Sequence, residues 1–302
     1  MRSMVLIALL CACSEYSVDS IEKTNPNPDD TAAVTEDSGI ANPSSEPGEE
    51  PEPEAPIEEG NPPIANCTVT PNPVSPPFEE AMFDGTASTD PNGGSLTYLW
   101  ELISYPEGTA YPVFDSMYSN SPTVPYMPDV AGEYMGRLTV INEEGLSDTC
   151  DALLEAIPSQ NLWVEMYWVH SGDDMDLHLI APGSYWSSAL ESDQDCYYGN
   201  CVWSSLDWGQ YGYAGDDPIL DLDDISGTGP ENINIADPQS NGTYTVVVHD
   251  YPGSVYSGVN DVTINIYLDG AMVWSVTRGI SVEDSYTPIA SIDWATKSIT
   301  GL

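Results

Sequence analysis

The residues with the clearest capacity for chemistry are two groups of carboxylates in the second half of the chain. The first group alternates with apolar residues in Asp174-Met175-Asp176-Leu177-His178-Leu179, so its acids project from one face of a strand. The second group precedes a glycine-rich turn that ends at Glu231. The full set is Asp174, Asp176, Asp221, Asp223, Asp224 and Glu231.

Calcium is the cation that such a set favours. It takes about six to eight oxygen ligands from carboxylates, carbonyls and water, and two acidic groups joined by strand pairing would supply them. Crowded carboxylates repel one another, and a bound cation relieves that cost. The spacing is not that of an EF-hand, because residues 216–224 lack its central glycine and terminal glutamate. A solvated acidic face without an ion is the alternative.

Two histidines, His178 and His249, fall on the polar faces of predicted strands. With an aspartate nearby they would make a zinc site. Histidines in such positions are more often hydrogen-bonded surface residues, and the sequence alone favours that interpretation.

Aromatic residues are concentrated around the short segment between Cys196 and Cys201. They are Tyr185, Trp186, Tyr197, Tyr198, Trp203, Trp208, Tyr211 and Tyr213. Flat aromatic faces beside carboxylates suit a sugar-binding surface or a protein interface. The candidate ligand contacts are Tyr197, Tyr198, Trp203 and Trp208, and packing over a sheet edge is the alternative.

The elements that position these residues are predicted to be strands throughout. Residues 63–158 and 159–302 both consist of short alternating segments broken by Pro and Gly, which predicts an all-β chain with two β-sandwich domains in tandem. In the first domain Leu96, Tyr98 and Trp100 form one apolar face. In the second, Asp269-Gly270 between two strand-like runs predicts a hairpin.

The N-terminus has the layout of a secretory signal, with Arg2, an apolar run over residues 4–10 and small residues before Cys13. Leu10-Cys11-Ala12-Cys13 resembles the lipobox of bacterial lipoproteins, although Cys11 is unusual at its position. The resemblance implies that residues 1–12 are removed and that Cys13 carries covalent lipid. Ser14 resembles lipoproteins sorted to the outer membrane or cell surface. An ordinary cleaved signal is the alternative.

Four cysteines then remain: Cys67, Cys150, Cys196 and Cys201. An even number in an exported chain predicts disulfides. Three pairings are open, and the domain positions favour Cys67–Cys150 with Cys196–Cys201.

Residues 13–62 are rich in Pro, Glu, Asp and Ser, which predicts a disordered acidic linker. The whole chain has 49 acidic residues against 5 Lys and Arg, a net charge of −44. Repulsion excludes nucleic acid and anionic headgroups as partners, so contact with a membrane would come only through the lipid anchor.

Three stretches of the first domain resemble the PKD domain, an immunoglobulin-like sandwich: residues 83–94, 96–102 and 128–148. In the second domain, residues 174–179, 229–233 and 242–246 with His249 resemble the YfaP-like and pre-peptidase C-terminal modules. Members of the latter group often bind calcium and attach enzymes or cells to polymers, so the resemblance implies similar roles here.

The sequence therefore predicts a non-catalytic lipoprotein of the cell envelope that presents a binding or adhesion module to a polysaccharide or surface protein. A purely structural envelope protein is the first alternative, and a carboxylate-based glycoside hydrolase is the second. The chain contains no Gly-x-Ser-x-Gly or His-Glu-x-x-His motif, which argues against the commonest hydrolase chemistries.

Overall fold

The computed structural model describes residues 60–202 and 206–302. The predicted signal, the lipid-bearing Cys13, nearly all of the acidic linker and Trp203 lie outside the described residues.

The first sandwich is built from six antiparallel strands in two sheets. They are β1 (Thr68–Thr70), β2 (Ala81–Asp84), β3 (Thr97–Ser104), β4 (Thr123–Tyr126), β5 (Gly132–Ile141) and β6 (Ser147–Ala156). One sheet has the order β1-β2-β4 and the other β3-β5-β6.

The core of this sandwich forms because inward side chains alternate with polar ones along each strand. Trp100, Phe83 and Phe114 pack edge to face, with ring centroids 5.1–6.2 Å apart. Leu96 and Tyr98 pack against the same cluster, as their alternation predicts. The predicted disulfide from Cys67 to Cys150 in β6 is confirmed, and it fastens the segment before β1 to the last strand of the sandwich.

The second sandwich has ten strands and two single-turn helices. The strands are β7 (Leu162–Trp168), β8 (Met175–Ile180), β9 (Asp195–Cys196), β10 (Ile219–Leu222), β11 (Glu231–Ile235), β12 (Thr243–Asp250), β13 (Asn260–Leu268), β14 (Ala271–Ile280), β15 (Ser285–Asp293) and β16 (Ser298–Gly301). The helices are α1 (Trp186–Ala189) and α2 (Tyr198–Cys201). One sheet runs β10-β11-β7-β13-β14 and the other β16-β15-β12-β8-β9. The predicted all-β fold of paired sandwiches is confirmed.

The core of the second sandwich lies between these two sheets. Met175, Leu177 and Leu179 of β8 enter it, as their alternation predicts, so the residues between them face the other way. The hairpin at Asp269-Gly270 joins β13 to β14, and both residues have positive φ, 52° and 80°. The disulfide Cys196–Cys201 is confirmed, and both of its cysteines belong to this core.

The described residues of the two sandwiches lie in one compact unit. Every residue of β7 is buried, because its second face packs on the first sandwich. Trp163 and Tyr267 form a small apolar cluster with Ala131 of the segment before β5. No helix in the described part of the chain is long and apolar enough to cross a membrane.

Candidate functional site

The site is organised by the pairing of β8 with β12. In this register Asp176 lies directly opposite His249, and His178 lies opposite Val247. Since Leu177 and Leu179 enter the core, Asp176 and His178 lie on the outer face of the sheet.

That outer face is not exposed to solvent. The segment between β8 and α2 folds over it, and Ala189 of α1 packs on Ile180 and Val247. His178 is 0% exposed and His249 is 3% exposed. The interpretation of these histidines as surface residues is therefore wrong, because strand alternation places them on a polar face but does not reveal a segment that covers that face.

A cavity of about 200 Å³ lies at the start of β8. Its carboxylates are Asp174, Asp176 and Asp223, and its rim carries Tyr198 and Tyr251. Oxygens of Asp176, Asp223 and Glu231 lie within 4.8 Å of one another. The structure thus brings four members of the predicted acidic set to one place.

Glu231 holds this cluster between the two sheets. It is the first residue of β11 and is fully buried. Its Oε2 accepts a hydrogen bond of 2.8 Å from the backbone N–H of Leu177 in β8, and its Oε1 accepts one of 3.4 Å from that of Asp224. The side chain therefore links the edges of both sheets beside the cavity.

The pKa values of Asp174, Asp223 and Glu231 are all raised. Burial, followed by repulsion from Asp176, Asp223 and other acids, raises the pKa of Asp174 to about 7. Burial, followed by repulsion from Asp176 and Asp224, raises the pKa of Asp223. Burial with repulsion from Asp176 raises the pKa of Glu231 well above its usual range. A cation among these groups would relieve both the desolvation and the repulsion.

Two oxygens at the cavity have no hydrogen-bond partner. They are Oδ1 of Asp174 and Oδ2 of Asp176, and the side chain of Asp176 is almost completely buried. Buried polar atoms are normally paired. These two atoms therefore lack the partner that a cation bound among these carboxylates would supply.

Asp221 and Asp224 have other partners. Oδ2 of Asp221 accepts hydrogen bonds from the side chains of Asn232 and Asn234. The carboxylate of Asp224 caps its own turn, accepting from the backbone N–H groups of Gly227 at 3.0 Å and Gly229 at 2.9 Å. The structure therefore does not bring Asp221 and Asp224 into the predicted ligand set. Proximity in the sequence does not show which acids have hydrogen-bond donors nearby.

The three candidate aromatic contacts that the structure describes occupy different environments, while Trp203 lies outside the described residues. Trp208 is buried in the core of the second sandwich, and its indole N–H donates to the carbonyl of Asp193 at 2.8 Å, so it offers no face to a ligand. Tyr197 is stacked on His178 with ring centroids 5.1 Å apart. Tyr198 remains exposed at the rim of the cavity.

A second and larger cavity, of about 360 Å³, lies in the cleft between the two sandwiches. The first sandwich contributes Tyr111 and Asp129, and the second contributes Asp223, Asp224 and the turn before β11. Asp223 therefore lines both the acidic cavity and the cleft. Sequence reasoning missed the cleft, since Tyr111 and Asp129 are distant in the chain from Asp223 and Asp224, and the PKD-like stretch that contains Asp129 does not mark it as a ligand contact.

Sequence reasoning also missed Asp195 and Tyr251. Asp195 in β9 lies 2.8 Å from Nδ1 of His178, and both side chains are buried. Tyr251 contacts His249 edge to face, with ring centroids 5.6 Å apart. The only sequence signals are that Asp195 directly precedes Cys196 and that Tyr251 lies two residues after His249.

Comparison with known proteins does not assign this chain to a family. No family model matches it, and no curated protein matches it. Among solved structures, the chain is similar to a nucleoside hydrolase-related hypothetical protein from Saccharophagus degradans that is associated with carbohydrate metabolism. The identity is 20%, the match covers 32% of this chain and 26% of that chain, and the TM-score is 0.26. The chain thus spans about a quarter of that protein's length.

Two further similarities involve smaller domains. For the PKD domain from KIAA 1837 protein, identity is 23% over 30% of this chain and 83% of that chain, with a TM-score of 0.25. For a carbohydrate-binding module of the β-sandwich superfamily, identity is 14% over 76% of this chain and 84% of that chain, with a TM-score of 0.27.

Proposed function

We propose that this chain is a non-catalytic, calcium-dependent binding protein of the cell envelope. The observation that carries the proposal is the meeting of four carboxylates, Asp174, Asp176, Asp223 and Glu231, at one cavity where two buried oxygens lack partners. Calcium is the expected ion because these donors are all oxygens of carboxylates.

The position of Asp223 connects the ion to a ligand. This residue lines both the acidic cavity and the cleft between the sandwiches, so an ion bound to it lies beside the cleft. Calcium has more coordination positions than four carboxylates fill, and ligand hydroxyls or carboxylates would take the rest. Exposed rings of Tyr111, Tyr198 and Tyr251 surround the two cavities and suit the flat faces of sugars.

The proposal includes the location of the protein. Cys13 would carry the lipid that attaches the chain to the outer membrane or cell surface, and the acidic linker would separate the sandwiches from it. The PKD-like and YfaP-like or pre-peptidase C-terminal-like character of the two sandwiches is part of the same proposal. Mass spectrometry of the mature N-terminus tests the anchor, which requires an acylated Cys13 as the first residue.

Binding of the full chain to an array of polysaccharides and surface proteins, with and without calcium, tests the function. We expect saturable binding that calcium strengthens and that Asp223→Asn weakens at least tenfold. Asp221→Asn is the matched control, because Asp221 bonds to two asparagines outside the acidic cavity. The absence of saturable binding in calcium would favour the purely structural alternative.

The raised pKa of Asp174, about 7, favours one second candidate. A carboxylic acid that stays protonated near neutral pH suits the general acid of a glycoside hydrolase. Release of reducing sugar from envelope polymers, lost in Asp174→Asn, would establish this alternative and overturn the non-catalytic proposal.

A further inference from the structure

A second group of ligand atoms lies on the outer face of β8 and β12. Asp176 and His249 are directly paired across the two strands, and His178 is two residues further along β8 on the same face. The ligand atoms of all three side chains lie within 4.8 Å of one another. We propose that Asp176, His178 and His249 bind a divalent transition metal of the zinc class, at a site that adjoins the calcium site and shares Asp176 with it.

The spacing is close to what such a metal requires. Nδ1 of His249 lies 3.3 Å from Oδ2 of Asp176. Two ligand atoms that are each about 2.0–2.2 Å from a tetrahedral ion lie about 3.3–3.6 Å apart. The oxygen nevertheless accepts no hydrogen bond, so the nitrogen and the oxygen lie side by side without pairing to each other.

His178 has the partner that orients a ligand histidine. Its Nδ1 lies 2.8 Å from Oδ2 of Asp195, and that oxygen also accepts a 2.8 Å hydrogen bond from the backbone N–H of Glu191. A carboxylate on one ring nitrogen directs the lone pair of the other towards a metal. The other nitrogen, Nε2, is buried and has no partner.

His249 also has a carboxylate beside its second ring nitrogen, although the two are not hydrogen-bonded. With Nδ1 beside Asp176, its Nε2 lies 3.6 Å from Oδ1 of Asp284, whose side chain is largely exposed. The proposed ligand nitrogens are thus Nε2 of His178 and Nδ1 of His249. In each ring the other nitrogen lies beside a carboxylate, that of Asp195 for His178 and that of Asp284 for His249.

Aromatic stacking fixes both rings. Tyr197 stacks on His178 with an interplanar angle of 5°, and Tyr286 stacks on His249 with centroids 4.0 Å apart and an angle of 4°. The hydroxyl of Tyr286 donates in turn to Glu191 at 2.6 Å. The two histidine rings are thus held in place before the metal arrives.

The donor set distinguishes the metal from calcium. Two imidazoles with one carboxylate suit zinc and neighbouring transition metals, whereas calcium prefers oxygen ligands alone. Three protein ligands leave one position of a tetrahedral ion free. Asp176 also lines the 200 Å³ cavity, which provides a route of entry from solvent.

Two buried pairs of histidine and aspartate without metal are the competing explanation. The pair of His178 with Asp195 accounts for Nδ1 of His178. Nε2 of both histidines and Oδ2 of Asp176 remain buried without hydrogen bonds. A single ion ligated by Nε2 of His178 and Oδ2 of Asp176 satisfies those two atoms.

Cobalt titration of the full chain in millimolar magnesium tests the proposal, since magnesium occupies the many exposed carboxylates. Cobalt ligated by nitrogen in a four-coordinate site absorbs visible light far more strongly than cobalt held octahedrally by oxygen. We expect one equivalent of strongly absorbing cobalt, displaced by one equivalent of zinc. If the wild-type chain binds no strongly absorbing cobalt, the proposal is overturned. This measurement requires no variant.

Variants then assign the ligands. His178→Gln and His249→Gln should weaken cobalt binding at least a hundredfold, and Asp195→Asn should weaken it about 10–100-fold by freeing the ring of His178. His170→Gln is the matched control, since His170 is the third histidine of the chain and stacks on Tyr256 outside the cluster. Equal loss in His170→Gln and His178→Gln would contradict the assignment.

The same titration separates this site from the calcium site. Asp223→Asn should abolish the calcium response and retain strongly absorbing cobalt, while His178→Gln should show the opposite pattern. Loss of cobalt in Asp223→Asn with full retention in both histidine variants would place the metal in the carboxylate cavity and overturn the proposal.

Discussion

Glu165 is a buried acid at the contact between the two sandwiches. Its Oε2 accepts a 2.9 Å hydrogen bond from the backbone N–H of Ala131 in the first sandwich, and its Oε1 accepts one of 3.2 Å from Asn265 of β13. Burial outweighs these bonds and raises the pKa of Glu165 to about 7. The folded chain therefore holds a proton on Glu165 that the unfolded chain releases near pH 4.5.

The pH dependence of stability follows from that difference. Between about pH 4.5 and 7 the folded state binds more protons at this site, so the free energy of unfolding falls as pH rises. Glu165→Gln removes the titration, and the variant should gain on the order of 3 kcal/mol relative to wild type between pH 4.5 and 8. Urea unfolding across this pH range measures the difference in the free energy of unfolding between Glu165→Gln and wild type. Glu133→Gln, at an exposed position, is the control. A constant difference between Glu165→Gln and wild type would contradict the account.

Single residues also show how far the sequence could predict the site. Alternation in β8 correctly separates Leu177 and Leu179 from Asp176 and His178. It does not identify Glu231 as a bridge to β8, because that contact depends on how the two sheets align. The local hydrogen bonds that occupy Asp224 depend on the shape of its turn, which composition alone does not determine.

At the scale of elements, one loop of the first sandwich fits closely on β7. Gly108 has a φ of +87°, and a Cβ there would lie 2.4 Å from the ring of Tyr167. This close approach helps to explain why β7 is buried on both faces. The covering element is about 60 residues away in the chain, beyond the range of periodicity arguments.

Gly108→Ala should therefore destabilise the protein by about 3 kcal/mol, from backbone strain together with the clash on Tyr167. Gly93→Ala is the matched control, with a similar φ of +78° and no atom within 4 Å of the added carbon. The control should cost only about 1 kcal/mol. Thermal unfolding of both variants measures the difference, and equal losses would show that Gly108 is not a packing contact.

The disulfide Cys196–Cys201 belongs to the element that covers the histidines. It joins β9, which carries Asp195, to the end of α2. Replacement of both cysteines by serine should cost about 2 kcal/mol by the loop-entropy model. Hydrogen exchange of β9 and α2 should increase while that of β3 in the first sandwich is unchanged. Equal increases in both regions would contradict this local role.

At the scale of the whole molecule, net charge determines which classes of partner the protein attracts or repels. A net charge of −44 makes the protein repel anions, and the acidic cavity adds buried carboxylates to that background. Composition predicts this general repulsion and the preference for cations. It does not predict the cleft, which exists only because the first sandwich packs beside the turn before β11.

Thermal unfolding of the full chain with and without calcium tests the central claim most directly. Sodium chloride at equal ionic strength controls for general screening. Calcium at about 100 times its dissociation constant should raise the Tm by about 5–10 °C. Asp223→Asn should remove this gain and Asp221→Asn should retain it. A calcium shift no larger than that of sodium chloride, or one that survives in Asp223→Asn, would contradict a calcium site at this cavity.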